Sequence, residues 1–305
     1  LALLIHAVDW TSRDVRNAVG RRHRDESMTT RREIKLGDGR SIVAYDAGVP
    51  DGIARLTVIW HHGSPHTGVL YEPLLSMAAE RGIRLMTYAR PSYGGSSPNE
   101  GRNVASAGVD VAAVADAFDV ERFAGMGASG GGPHALACAG LLGDRVTATV
   151  TFASPAPYSD AFDWFAGMAA PQALQAARVG RASRARYAET DTFDDAVFID
   201  ADWAALSDRW GALGQDAGGA GSDGPDGLID DDVAFAKAWD VDLGAIASPV
   251  LLVQGGADRM IPASHGESLL GQIPTAELWL RPRDGHVSVL DASAVAFDWL
   301  LDRAR

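Results

Sequence analysis

One cysteine and two lysines are all that the 305 residues contain of either type, and each scarcity excludes something. The lone thiol, Cys138, closes no disulfide within the chain and builds no thiolate metal cage, which suits a reducing compartment and sets a cytoplasmic expectation. Base is short overall: 27 Lys and Arg stand against 40 Asp and Glu, a formal charge of −13. A phosphate backbone would be repelled unless the bases clustered on one face, so nucleic acid is not an expected partner. No stretch approaches the roughly 18 consecutive apolar residues of a membrane-spanning helix, and no membrane association is expected. The apolar opening Leu1–Val8 lacks a preceding basic segment and a small-residue cleavage site, which makes it a poor signal peptide. With the first methionine at Met28, residues 1–30 read as a loose basic extension without a role in the fold; the rival reading docks them as a helix through Leu3, Leu4 and Trp10.

What is present is an average globular composition, 47% apolar and 22% charged, in a length that allows one large domain or a core carrying an insertion. From Arg32 onward, short apolar and β-branched runs alternate with helical spacing, the signature of a layered α/β domain with a mostly parallel central sheet flanked by helices. Strands are expected at Glu33–Leu36, Ser41–Ala47, Leu56–Trp60, Ile83–Tyr88, Glu121–Met126, Ala148–Phe152, Val250–Gln254 and Glu277–Arg281. Helices are expected at Leu70–Glu80, Asn103–Phe118, Gly132–Leu142, Gly266–Gln272 and Ala292–Arg303. The strand pattern stops between about Pro155 and Asp242, where helices read as broken by a loop at Gly211–Gly227. This divides the chain into a core of residues 31–155 and 243–305 and a helical insertion of residues 156–242. Within 189–242 stand 15 acids and two bases, most simply a solvated acidic face.

The segment Glu121–Gly140 is the most informative. An expected strand runs into Gly127-x-Ser129-x-Gly131 and then into an alanine-rich helix, the context in which a sharp turn lifts a serine hydroxyl above the sheet. The same residues also spell a dinucleotide spacing at Gly125, Gly127 and Gly130, which needs an acid about 20 positions on, after the next strand. That strand ends in Ala153 and Ser154, and Asp144 precedes it; an ordinary packing turn is the plainest third reading.

A serine hydroxyl is a poor nucleophile until a base takes its proton, so the turn needs a histidine and an acid to orient it. Asp258 follows the strand Val250–Gln254, and His286 follows the last strand. Ser129, Asp258 and His286 come in the chain order expected of such a triad, with Asp284 as a rival acid. Acyl transfer also needs two N–H donors for the developing oxyanion. Gly130, after the nucleophile, supplies one; Ser64, in the turn His61-His62-Gly63-Ser64-Pro65, is the candidate for the other, since Pro65 has no N–H. A metal reading of His61, His62 and His66 is disfavoured because Gly63 and Pro65 break helical i, i+4 spacing, and no metal or cofactor is expected. Cys138 and His134, on the helix after the turn, read as packed residues.

On these residues the chain resembles the α/β-hydrolase superfamily, in its capped branch of esterases, peptidases and epoxide-hydrolase-like enzymes. The similarity runs over residues 33–305 and includes HHGSPHT as the oxyanion turn, YARPSYGGSS (Tyr88–Ser97) after a core strand, and PVLLVQGGADRMIP around the acid. Ala89 stands where that loop usually has an aspartate. The resemblance implies the α/β-hydrolase fold, a helical cap in the inserted segment, and a cofactor-independent serine hydrolase acting on a small or medium ester. Ser129 in place of an aspartate nucleophile, and Gly130 in place of a tryptophan, argue against dehalogenase and epoxide hydrolase activity. An iminopeptidase or amidase is the alternative, with Asp230–Asp232 or Asp194-Asp195 holding a substrate's amino terminus; a non-catalytic ligand binder is the other. Aromatic cap residues are expected to line the substrate pocket, first of all Tyr158, Phe162, Trp164, Phe165 and Met168.

Overall fold

The computed structural model describes residues 29–49 and 52–304, so the expected extension at 1–30 lies almost wholly outside the described residues. The strands are β1 (Thr30–Lys35), β2 (Ser41–Asp46), β3 (Leu56–His61), β4 (Ile83–Tyr88), β5 (Phe123–Ala128), β6 (Val146–Phe152), β7 (Val250–Gly255) and β8 (Ala276–Arg281). All eight fall where the sequence pattern expects them. They form one sheet in the order β1-β2-β4-β3-β5-β6-β7-β8. β2 pairs antiparallel with β1 and β4, and every other pairing is parallel.

Side chains alternate across this sheet, and each face buries its own layer. Ile59, Val250 and Leu252 pack with α2 (Ser106–Ala117), α3 (Gly131–Leu141) and α9 (Ala263–Gln272). Val58, Trp60, Leu251 and Val253 pack with α1 (Glu72–Ala79) and α10 (Ser293–Arg303). Each large side chain so buried contributes about 1.5–3 kcal/mol. Every residue of β5, between β3 and β6, is buried, which makes its C-terminal end a rigid place to mount a side chain.

Between β6 and β7 the described chain has no strand and runs through α4 (Gln172–Val179), α5 (Arg181–Ala188), α6 (Asp200–Ser207), α7 (Gly211–Ala220) and α8 (Asp226–Phe235). The expected loop at 211–227 is therefore mostly helix. Glycine costs about 1 kcal/mol per helical position against alanine, and tertiary contact outweighs that here. A Cβ on Gly214 would lie 3.2 Å from Leu206 Cδ2, so the small residues let α7 pack closely on α6. Asp216 fastens the helix to the turn after β3, accepting from the Thr67 N–H at 3.0 Å and the Tyr71 hydroxyl at 2.9 Å. No helix among the described residues is long and apolar enough to cross a membrane.

Candidate active site

β5 ends at Ala128, and Ser129 turns the chain with φ of 51°, a left-handed conformation that is strained for a residue with a Cβ. Two bonds hold it: Ser129 N–H donates to Phe152 O at 2.8 Å, and Gly132 N–H donates to Ser129 O at 2.9 Å. The flanking glycines are required by crowding. A Cβ on Gly127 would come within 2.5 Å of Gly131 O, and one on Gly131 within 2.0 Å of His61 O. Gly130, the third glycine of the dinucleotide spacing, faces Ser64 Oγ and the Phe235 ring, which a Cβ there would meet at 2.3 and 2.9 Å.

Across from the turn, His286 Nε2 lies 2.9 Å from Ser129 Oγ, and His286 Nδ1 lies 2.8 Å from Asp258 Oδ2. The other carboxylate oxygen of Asp258 accepts the N–H groups of Met260 and Ile261 at 2.8 and 2.9 Å, which fixes the side chain. The loops carrying the acid and the histidine touch: a Cβ on Gly255 would lie 2.4 Å from Gly285 O. Asp284, the rival acid, pairs instead with Arg281.

The turn after β3 reaches the same spot. The guanidinium of Arg90 donates to His62 O, to Gly63 O at 3.0 Å, to Ser64 Oγ at 2.8 Å and to Asp231 Oδ2 at 2.7 Å. Ser64 Oγ in turn donates to Asp231. The backbone N–H groups of Ser64 and Gly130 have no acceptor among the described residues. His61 and His62 serve the scaffold: His61 Nδ1 meets Tyr88 OH at 3.3 Å, while His62 Nδ1 donates to Gly63 O at 2.7 Å and its Nε2 accepts the Arg90 N–H at 3.0 Å.

Above Ser129 and His286 opens a cavity of about 240 Å³. Its walls include Trp60, Leu213, Met260 and Leu290, with Phe193, Phe198 and Trp203 packed edge-on or tilted against one another at 5.3–6.3 Å between ring centroids. The expected aromatics lie elsewhere. Tyr158, Phe162, Trp164, Phe165 and Met168 are all absent from these walls. Trp164 and Phe162 pack on His265 with centroids 5.1 and 5.4 Å away, and Trp164 Nε1 donates to Ala156 O at 2.9 Å. Tyr158 lies under the Arg178 guanidinium at 3.9 Å, and Phe165 against Trp164 at 5.0 Å.

The acidic face is solvated at Glu189, Asp194, Asp195, Asp200 and Asp208 but not at the aspartate run. Asp230, Asp231 and Asp232 are buried, paired with Arg181, with Arg90 and Arg102, and with Arg184. None of the three lines the cavity, nor do Asp194 and Asp195.

The alpha/beta hydrolase fold family matches residues 57–293. The chain belongs to that family. An esterase from Thermogutta terrifontis superposes with a TM-score of 0.66 at 18% identity, over 90% of this chain and 99% of that one. A bromoperoxidase from Bacillus anthracis gives 0.70 at 23%, over 90% and 99%. At such identities the likeness is one of fold. A 2-hydroxy-6-oxo-6-phenylhexa-2,4-dienoate hydrolase from Burkholderia cepacia is 42% identical over 52 residues, which is 16% of this chain and only 18% of that protein's length.

Two residues of this alpha/beta hydrolase that sequence reasoning missed shape the site's electrostatics. Asp202 on α6, fully buried, accepts the backbone N–H groups of His286, Val287 and Ser288 at 3.2, 2.9 and 2.8 Å, and the Ser288 hydroxyl at 2.8 Å. Burial pulls the His286 imidazole down, but the carboxylates of Asp258 and then Asp202 outweigh it and raise the ring above the usual histidine range. Arg90 is the other. Burial opposes ionisation of Asp231, yet Arg102 and Arg90 hold its carboxyl well below the usual range. Cys138 is buried in the core, where desolvation pushes its thiol up, and His134 Nδ1 lies 2.7 Å from Gly130 O.

Proposed function

We propose that this chain is a serine hydrolase that cleaves a small or medium carboxylic ester through an acyl-enzyme, without a cofactor. The observation that carries the reading is the unbroken chain from Ser129 Oγ through His286 to Asp258, at the floor of a largely apolar cavity. Ser129 Oγ attacks the carbonyl carbon while His286 Nε2 takes its proton. His286 returns that proton to the departing alcohol, then activates water to release the acid. Asp258 keeps the proton on Nδ1 and stabilises the imidazolium. The N–H groups of Ser64 and Gly130 receive the oxyanion. Arg90 orients Ser64, and α4–α8 act as a cap that closes the cavity. At about 240 Å³ the cavity falls just under the roughly 300–1,000 Å³ of drug-sized sites, which favours small substrates.

The aminopeptidase reading loses its anchor, because no Asp or Glu side chain stands among the described residues lining the cavity. The local match to the dienoate hydrolase supports a second reading, hydrolysis of a related oxo-dienoate by the same serine. A fluorophosphonate probe tests the shared premise. Labelling is expected at Ser129 alone, and lost in His286→Ala; labelling elsewhere, or none of the folded protein, refutes it. An aryl ester and the dienoate then separate the two readings by turnover.

The cavity walls make a smaller prediction. Trp203→Ala removes a large apolar wall and is expected to raise KM for an aryl ester by about tenfold, whereas Tyr158→Ala changes it less than about twofold. The reverse order would return the pocket to the 158–168 stretch.

A further inference from the structure

A second histidine faces the same cavity outside the proposed triad, with a carboxylate behind it. His66 and Tyr71 both line it, and His66 Nδ1 lies 3.2 Å from Asp216 Oδ2 and 3.0 Å from the Tyr71 hydroxyl. Asp216 is otherwise saturated with donors: the Thr67 N–H at 3.0 Å, the Thr67 hydroxyl at 2.5 Å and the Tyr71 hydroxyl at 2.9 Å. Burial opposes ionisation of this carboxyl, but the bonds from His66 and Thr67 outweigh it and hold it below the usual range.

Counting hydrogens assigns the tautomer. The phenol has one hydrogen, and the carboxylate 2.9 Å away takes it. Nδ1 must then carry the imidazole proton, because a bare Nδ1 would set its lone pair against both the phenol oxygen and the carboxylate. That leaves Nε2 as the ring's other polar atom. That atom has no partner among the described residues, yet it is not one of the sealed, orphaned nitrogens such as His61 Nε2 and His134 Nε2. The ring lies against the oxyanion turn: the point where a Cβ on Gly63 would stand is 3.3 Å from His66 Nε2 and 3.6 Å from Ala128 O, beside the proposed nucleophile. A polar ring atom is thus fixed on a residue of the apolar cavity's wall, one position beyond the Ser64-Pro65 turn.

We propose that His66 is a specificity-determining residue whose Nε2 shares a hydrogen bond with a hydroxyl group on the substrate. The inference rests on the ester-hydrolase reading and narrows it to hydroxylated substrates. A site that holds a substrate hydroxyl penalises the analogue without it, since the buried ring nitrogen is then left unpaired.

The experiment compares kcat/KM of the full chain for matched 4-nitrophenyl esters, butyrate against 2-hydroxybutyrate and 3-hydroxybutyrate, and for butyrate esters of a propyl and a hydroxypropyl alcohol. In at least one pair the hydroxylated ester is expected to be preferred by about 10- to 100-fold. His66→Phe keeps an aromatic ring of similar breadth and removes both ring nitrogens, so that preference should collapse towards one. Because the preference is a ratio within one protein, it does not depend on how much of a variant folds. Ser129 labelling with a ratio near one in every wild-type pair overturns this inference alone. A preference that persists in His66→Phe also overturns it, and failure of Ser129 labelling overturns both this inference and the reading beneath it.

Discussion

Ser129→Ala is expected to lower ester kcat by a factor of about 10⁵–10⁶ and to leave the fold intact. The substitution removes one hydroxyl whose hydrogen bond among the described residues runs to His286, and the Cβ that has to tolerate the left-handed turn is already present in serine. Adding His286→Ala should cost little more, because a nucleophile without its base and a base without its nucleophile are equally idle. Independent, multiplying losses in the double variant would mean the two residues do not act on one proton. Asp258→Asn separates the two candidate acids. It should cost about 10⁴ in kcat by favouring the wrong imidazole tautomer, while Asp284→Asn, which touches only the Arg281 pair, should cost less than about twofold. Steady-state rates on one aryl ester decide all four outcomes.

Why these three residues could be read from the sequence is a matter of locality. Each stands directly after a strand whose apolar run is visible by itself, and parallel strands of one sheet deliver their C-terminal ends to one edge. Gly127 is visible for the same reason, since the atoms that crowd it belong to Gly131 and Gly132. Arg90 and Asp231 are 141 positions apart, and Asp202 and His286 are 84 apart. Nothing within a local window distinguishes such an acid from its neighbours, and a run of aspartates reads as solvated until its arginines are found. The pocket aromatics failed similarly. Trp164 and Trp203 carry equal apolar payloads, but the first packs on His265 and Phe165 and the second lines the cavity. In α7 the glycines argued for a loop because their cost is local, whereas the gain, close packing on α6 and the Asp216 anchor, is not.

Asp202→Asn is expected to do two separable things. Four bonds from residues 286–288 end on its carboxylate, with no cation beside it among the described contacts, so the side chain is the frame of the histidine loop. An amide in its place sets an NH₂ group against backbone N–H donors, and a loss of about 3–5 kcal/mol in unfolding free energy is expected. Displacing the base by even 1 Å costs roughly 10²-fold in rate. A merely structural residue would do as much. The charge predicts something more. His286 works as a base only when neutral, and its ring is held above the usual histidine range by Asp258 and then Asp202 against the opposing pull of burial. Activity in the wild type should therefore be lost as pH falls through a midpoint above about 6.5. Removing one of the two carboxylates makes the imidazolium less favourable, so the acid limb of kcat/KM in Asp202→Asn should move to lower pH. Gly285→Ala supplies the contrast: its Cβ would press within 2.1 Å of Asp202 Oδ2, disturbing the same loop while keeping the charge. If both variants lose rate and only Asp202→Asn shifts the limb, α6 both positions the proposed base and sets its protonation. An unmoved limb in Asp202→Asn would leave it a frame alone.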